Sequence, residues 1–273
     1  MTSESLARLE RIAQGREAEI FAWDEGRVLR LLRARGGPER VAAEVAAITA
    51  VTVAGVPAPR VYEVVSLDGR PGVVMERVDG PDLFKVIEKK VWTLRAVARQ
   101  TARLHAPLTA VEGPRELPSL HDLLRATAER KSNLIPPDLL ARELALLETL
   151  PEGDRLCHGD FHPGNILLRG DQPVIIDWAN ACRADRTADF ARTSLLLRVG
   201  AMPPGTPPHL RLLAAIVRKM FGRVYEAEYR RLARHDLSRF DDWLAVCAID
   251  RLTDDIPGER GALLSLLSSA LPR

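Results

Sequence analysis

Two hydrophobic rhythms divide the chain. Up to about residue 77, apolar residues come in short runs separated by turn residues, as strands require. Beyond that point they recur every three or four positions, as helices require. Residues 6–33 read as three antiparallel strands, with Asp24-Glu25-Gly26 as the clearest turn and the segment from Gly15 through Arg16 to Glu19 as an earlier one. Residues 38–54 read as a helix, opened by Pro38 and closed by Gly55. Its apolar face carries Val41, Val45, Ile48 and Thr52, with Glu44 on the flank and Glu39 roughly opposite. Residues 61–67 and 72–75 read as two more strands about the turn Asp68-Gly69. Helices are predicted at 93–106, 119–131, 137–149, 208–233, 238–252 and 257–271. In the first of these Leu94, Val97, Ala98, Thr101 and Leu104 share a face, and His105 is placed as a helix-end cap.

Composition adds exclusions. Apolar residues make up 46% of the 273, enough for a substantial core and against disorder. No apolar run approaches the ~18 residues needed to span a bilayer, and the first residues lack the basic and apolar regions of a signal peptide, so no membrane association is expected. Cys157, Cys182 and Cys247 are odd in number and lack metal-ligand spacing, which points to a reduced, cytoplasmic setting. The net charge of +2 comes from 39 basic and 37 acidic residues that are interspersed, so no nucleic-acid footprint is present.

The candidate chemistry lies in residues 156–178. Asn165 follows Asp160 across a loop tightened by Pro163 and Gly164. The runs Ile166-Leu167-Leu168 and Val174-Ile175-Ile176, about a Gly170-Asp171 turn, make a hairpin that returns Asp177 to the side of Asn165. Two carboxylates and an amide oxygen then converge, an oxygen set suited to Mg²⁺ completed by substrate phosphates. The order His158-Gly159-Asp160, Asn165 and Asp177-Trp178-Ala179 also follows the spacing of kinase catalytic and metal-binding loops. In its form His-Gly-Asp-x-His-Pro-Gly-Asn this stretch resembles the aminoglycoside phosphotransferase and choline-kinase-like family of small-molecule kinases.

The resemblance implies an α+β, bilobal protein kinase-like fold. Its parts are an N-terminal nucleotide-binding lobe over residues 1–77, with five antiparallel strands and a helix, and a mostly helical lobe over 78–273 that holds the catalytic loop and the acceptor. It implies transfer of the γ-phosphoryl group of ATP to a small-molecule hydroxyl. Asp160 acts as the catalytic base, and Asn165 and Asp177 hold Mg²⁺. Asp189 braces the catalytic loop, and His158 and His162 read as further braces of that loop. Glu76 and Val78 offer main-chain contacts to adenine, and Met75 lines its pocket.

One position departs from the family pattern. No Lys precedes residue 85, and Arg30 stands where a nucleotide-binding Lys is expected. Strand alternation sets Arg30 with Val28 and Leu32, among apolar neighbours, where an unpaired charge is costly. Glu44 is its expected ion-pair partner. The substitution keeps open a non-catalytic nucleotide-binding protein on the same scaffold, and a surface Arg on an edge strand is the plain alternative for Arg30. A protein kinase would need room for a peptide between Asp177 and Asp189, which is too short.

For the acceptor, Asp241, Asp242, Asp250, Asp254 and Asp255 offer an acidic wall for a cation, or a solvated face given the interleaved Arg239, Arg251 and Arg260. Trp178, Trp243 and Tyr229 offer either aromatic walls for an amine or core. Acceptor identity and oligomeric state leave no signature in the sequence.

Overall fold

The structure, a computed structural model, describes residues 6, 9–15, 17–33, 37–200, 206–256 and 258–270. Arg16 of the first expected turn, and Pro257 and Leu271 at the limits of the last expected helix, lie outside these residues. The N-terminal strands are β1 (Arg11–Gln14), β2 (Ala18–Asp24) and β3 (Arg27–Leu32), followed by α1 (Pro38–Val53), β4 (Val61–Leu67) and β5 (Arg70–Glu76). They form one antiparallel sheet in the order β1-β2-β3-β5-β4. β3 is therefore central, with Arg30 opposite Ile20 on one side and Val73 on the other. The edge-strand alternative for Arg30 is excluded.

Strand alternation sorts β3 as its pattern predicts. Val28 and Leu32 join the main core with Val41, Ala47, Ile48 and Val51 of α1. Leu29 and Leu31 join a separate cluster with Phe21, Leu67 and Val74 on the other sheet face. The apolar face of α1 is rotated from the predicted one. Val41, Glu44, Ala47, Ile48 and Val51 are buried, whereas Val45 is half-buried and Thr52 exposed. The Thr52 hydroxyl turns back to the Ile48 carbonyl at 2.7 Å. The reason is tertiary: α1 packs on β5 and also against the turn after Asp177, so its buried face looks at both. Glu44 lies at the centre of that face, not on its flank.

The rest is mostly helical: α2 (Leu83–Lys89), α3 (Leu94–Leu108), α4 (Leu120–Arg130), α5 (Pro137–Leu147), α6 (Arg186–Val199), α7 (Pro208–Leu232), α8 (Phe240–Leu252) and α9 (Arg260–Ala270). Asp82 caps α2 by accepting from the Lys85 N–H at 2.9 Å. Two short ribbons are set among the helices. β7 (Ile166–Arg169) pairs with β8 (Gln172–Ile175) as the expected hairpin, and β6 (Arg155–Cys157) pairs with β9 (Cys182–Ala184). Three residues are too few for alternation to declare itself, so the β6–β9 ribbon has no sequence signal. α3 packs along α7, and α6 along α8. Trp178, Trp243 and Tyr229 are at most 1% exposed, which makes them core and removes the aromatic-wall alternative. The three cysteines are free and buried. No helix among the described residues is long and apolar enough to cross a membrane.

Candidate active site

The catalytic-type loop leaves β6 at Cys157 and is pinned at its first residues. Gly159 has φ +77°, and a Cβ there would lie 2.2 Å from the Asn180 carbonyl oxygen, so only glycine fits. Asp189, in the first turn of α6, accepts the backbone N–H groups of His158 (2.7 Å) and Gly159 (3.0 Å). It also meets His105 Nε2 at 3.1 Å, while His105 Nδ1 lies 2.6 Å from the Tyr225 hydroxyl. His105 is thus a fully buried bridge between α6 and α7, not a helix-end cap. Burial raises the Asp189 pKa, but His105 and the His158 side chain and N–H outweigh it and leave the carboxyl below its usual range.

His158 and His162 brace the loop as expected. His158 Nε2 lies 3.0 Å from the Ile176 carbonyl, and its Nδ1 accepts from the Asp160 N–H at 3.2 Å. His162 Nδ1 accepts from the Gly164 N–H at 3.0 Å, and its Nε2 stands 3.6 Å from Asp160 Oδ2. Burial pulls the His158 pKa down from the ordinary imidazole value, against the pull of Asp189 and Asp160.

Asp160 and Asn165 are joined directly. Asn165 Nδ2 donates to the Asp160 backbone oxygen at 2.9 Å and to its Oδ2 at 3.2 Å. Burial alone would raise the Asp160 carboxyl, but the bond and charge of His162, then His158 and Arg192, bring it to about 2. The hairpin closes where the Ile176 N–H donates to the Asn165 carbonyl at 2.9 Å. Asp177 follows with φ 62° and ψ 64°, a left-handed conformation that turns the chain out of the strand. Its side chain is 44% exposed, and its Oδ1 lies 3.5 Å from Arg30 Nη2.

On the sheet side, Arg30 Nη1 donates to Glu44 Oε2 at 2.8 Å, forming the expected pair. Burial pushes the Glu44 carboxyl up to about 7, against the pull of Arg30. Val28, Arg30, Glu44, Met75, Glu76 and Val78 line a cleft of ≈ 1310 Å³ that also reaches Asp160 and Asp177. Asn165 sits just behind Asp160, 9% exposed. The Glu76 N–H is spent on the Arg60 carbonyl at 2.8 Å, and its carboxylate pairs with Arg169 and accepts from the Arg60 N–H at 3.1 Å, so neither is free for a ligand.

The donor set fits a hard cation only in part. The Asn165 amide nitrogen is committed to Asp160, which leaves its oxygen, and among the described residues Asp177 has only the long contact to Arg30. No cluster of three or more His, Cys, Asp or Glu able to hold a metal occurs among the described residues. Two oxygen donors needing phosphates and water to complete the shell is the pattern suited to Mg²⁺.

The phosphotransferase enzyme family model matches residues 8–235. The chain belongs to that family. No curated protein matches it in sequence. Solved structures similar to it include apo aminoglycoside phosphotransferase APH(4)-Ia, a thermostable mutant, at 18% identity and TM-score 0.70, covering 97% of this chain and 95% of that one. APH(3'')-Id from Streptomyces rimosus matches at 20% identity and TM-score 0.60, over 90% and 92%. APH(2")-IIIa matches at 18% and 0.60, over 99% and 91%. At these identities the likeness is one of fold: the kinase-like arrangement of an antiparallel sheet on a mostly helical body.

Within this family fold, sequence reasoning missed Arg192. It lies one helical turn after Asp189 on α6, donates to the Gly159 carbonyl and reaches Asp250 Oδ2 at 3.2 Å. Asp189 and Arg192 therefore grip the same loop by its N–H groups and its carbonyl. The i, i+3 spacing of an acid and an arginine after the motif is the signal that finds the pair. Of the five aspartates of the acidic-wall alternative only Asp254 lines the cleft, and it pairs with Arg251 at 2.9 Å. Asp250 pairs with Arg192, Asp242 with Arg239 at 2.6 Å, and Asp241 and Asp255 are exposed away from the cleft lining. Asp250 faces inward, and burial raises its pKa.

Proposed function

We propose that this chain transfers the γ-phosphoryl group of ATP to a hydroxyl of a small molecule. The observation that carries the reading is one cleft that gathers Asp160, Asp177 and the Arg30–Glu44 pair from separate elements. In the reaction the acceptor oxygen forms a bond to the γ-phosphorus while the bond to the β–γ bridging oxygen breaks. ADP leaves, and the hydroxyl proton passes to Asp160 and then to solvent. An acid with pKa about 2 is a weak base, so Asp160 orients the hydroxyl and takes its proton late. That suits a loose transition state.

Arg30 holds the α- and β-phosphates, and Glu44 fixes its guanidinium, a planar fork in place of an ammonium. Asn165 and Asp177 would hold Mg²⁺, which when bound neutralises charge on the β- and γ-oxygens. Met75, the Glu76 carbonyl and the Val78 main chain frame the adenine. The nucleotide-binding part is then residues 1–77, and residues 78–273 supply the catalytic loop and the acceptor side. The family and the solved structures support the coarse reading. The APH(4)-Ia structures include complexes with AMP-PNP or ADP and hygromycin B, and the APH(2")-IIIa structure holds GDP and kanamycin. Residues 178–188 are used by a short helical turn and β9, which leaves no peptide-holding segment for a protein kinase.

The test is label transfer from γ-labelled ATP, and separately GTP, with Mg²⁺ to aminoglycosides, amino-alcohols, sugars, macrolides and hydroxy acids. Asp160→Asn should lower kcat by about 10²- to 10⁴-fold and leave nucleotide binding in place. Transfer at the wild-type rate in that variant would sink the assignment. Mg²⁺-dependent nucleotide binding with no transfer to any acceptor would favour the non-catalytic alternative.

A further inference from the structure

The acceptor side of the cleft differs in character from what a polycation would need. α7 turns Ala214, Val217, Arg218 and Phe221 to the cleft, the i, i+3, i+4, i+7 face of a helix. Leu196 of α6 and Ile256 after α8 face the same space. This is an apolar wall with one guanidinium set into it.

Five arginines line the cleft: Arg30, Arg77, Arg192, Arg218 and Arg251. Four have carboxylate partners. Arg30 pairs with Glu44 at 2.8 Å, and Arg77 with Asp79 at 2.8 Å. Arg192 pairs with Asp250 at 3.2 Å, and Arg251 with Asp254 and Glu259, each at 2.9 Å. Arg218 has no hydrogen-bond or ion-pair partner among the described residues, although it is half-buried. Residues 201–205, which follow Gly200 beside it, read Ala-Met-Pro-Pro-Gly and carry no acid.

Its guanidinium lies against Gly200 at the end of α6, where a Cβ would be 3.6 Å from the Arg218 Cζ. The negative end of a helix dipole favours a cation there but does not neutralise it. Burial lowers its pKa, with only a partial counter-pull from Glu259, itself committed to Arg251. A half-buried guanidinium without a counter-ion is costly to the fold unless something brings the charge.

We propose that the acceptor has an apolar body and one anionic group, a carboxylate or a phosphate, and that Arg218 takes the anion while the hydroxyl faces Asp160. This rests on the phosphotransfer reading for its hydroxyl and on the wall alone for its anion. Arg218 is then the residue that determines specificity. The guanidinium fork matches either anion in two parallel bonds. Among the described residues a polycationic sugar finds no free acid on this wall, since Asp254 beside it is paired with Arg251.

Four matched probes test it: ω-hydroxyhexanoate, ω-hydroxyhexyl phosphate, ω-hydroxyhexanamide and ω-aminohexanol. Each presents a hydroxyl and an apolar chain, ending in an anion, a neutral amide or a cation. Their affinities for the chain with Mg²⁺ and a non-hydrolysable ATP analogue are measured by calorimetry, alongside phosphorylation of each probe by Mg²⁺-ATP. The expected result is one anion bound about 10- to 100-fold more tightly than the amide, with the amine weakest. Whether carboxylate or phosphate leads names the source of the anion.

Arg218→Ala should bring the anion-to-amide ratio to near one, Arg218→Lys should restore part of it, and Arg218→Glu should favour the amine. Equal binding of amide and anion by the wild type, no binding of any probe, or a preference that survives Arg218→Ala would overturn the inference. So would a loss of Mg²⁺-ATP affinity in Arg218→Ala equal to the loss for the anion, because it would assign Arg218 to the nucleotide. Arg218-dependent anion binding with no phosphorylation of any probe would uphold the anion site while counting against the transfer reaction.

Discussion

The two ends of the cleft are built on opposite plans. At the phosphate end the groups that set the geometry are answered by neighbours: Arg30 by Glu44, Asp160 by Asn165 and His162, and the loop itself by Asp189 and Arg192, while Asp177 keeps a long contact to Arg30. At the acceptor end a helix face presents mostly carbon, and its single guanidinium has no counter-ion among the described residues. The first arrangement holds geometry for a reaction whose demands do not change. The second leaves a recognition element for the ligand to satisfy. Chemistry that depends on positioning calls for a closed network, and choice among acceptors calls for an open bond.

The comparison breaks most visibly if the network at the phosphate end is dispensable. Asp189→Ala leaves the buried His158 and Gly159 N–H groups and His105 without their acceptor. Urea denaturation should show a loss of about 3–5 kcal/mol, with activity falling together with the fold. A loss below about 1 kcal/mol would mean the loop holds its shape without the carboxylate.

Arg30→Ala probes the same end without touching the loop. It should raise the KM for ATP by about 10- to 100-fold, with Arg30→Lys intermediate, read from initial rates at varied Mg²⁺-ATP. An unchanged KM would move the phosphates away from Arg30.

The smallest effect lies behind the acceptor wall. Glu143 of α5 is 2% exposed, and its Oε2 has no partner among the described residues. Burial first, and then nearby Asp250, push its pKa from the ordinary 4.5 up to about 8. The folded state thus binds this proton more tightly than the unfolded state, and stability falls as pH rises from about 4.5 to about 8. Glu143→Gln should stabilise the protein by about 1–3 kcal/mol at pH 8.5 and by little at pH 4.5. Thermal melts across that range check it, and a gain independent of pH would contradict the buried-acid account.

Much of this was legible in the residues. The alternation in β3 predicted that Arg30 shares a side with Val28 and Leu32, and an arginine set among apolar residues predicted a carboxylate partner. Glu44 was found by helical spacing, although its place at the centre of the α1 face was not, because that face is shared between β5 and the turn after Asp177. His105 was misplaced for a related reason. A histidine near a helix end reads locally as a cap, but its partners Asp189 and Tyr225 are 84 and 120 residues away.

By itself the sequence determined what acts over short range: the period of each segment, the tight loop from Asp160 to Asn165, and the hairpin that returns Asp177 to it. Tertiary structure alone decided which of the charges lining the cleft are neutralised. Arg192 and Arg251 each have an acid within three residues along the chain, whereas the nearest acid to Arg218 in α7 is Glu226, and Arg192 takes its partner not from that neighbouring acid but from Asp250 of α8. A salt bridge forms only where folding brings nitrogen and oxygen within a few ångströms, since charge attraction falls with distance and with exposure to water. That condition was met for Arg192 and Arg251 and left Arg218 facing the cleft.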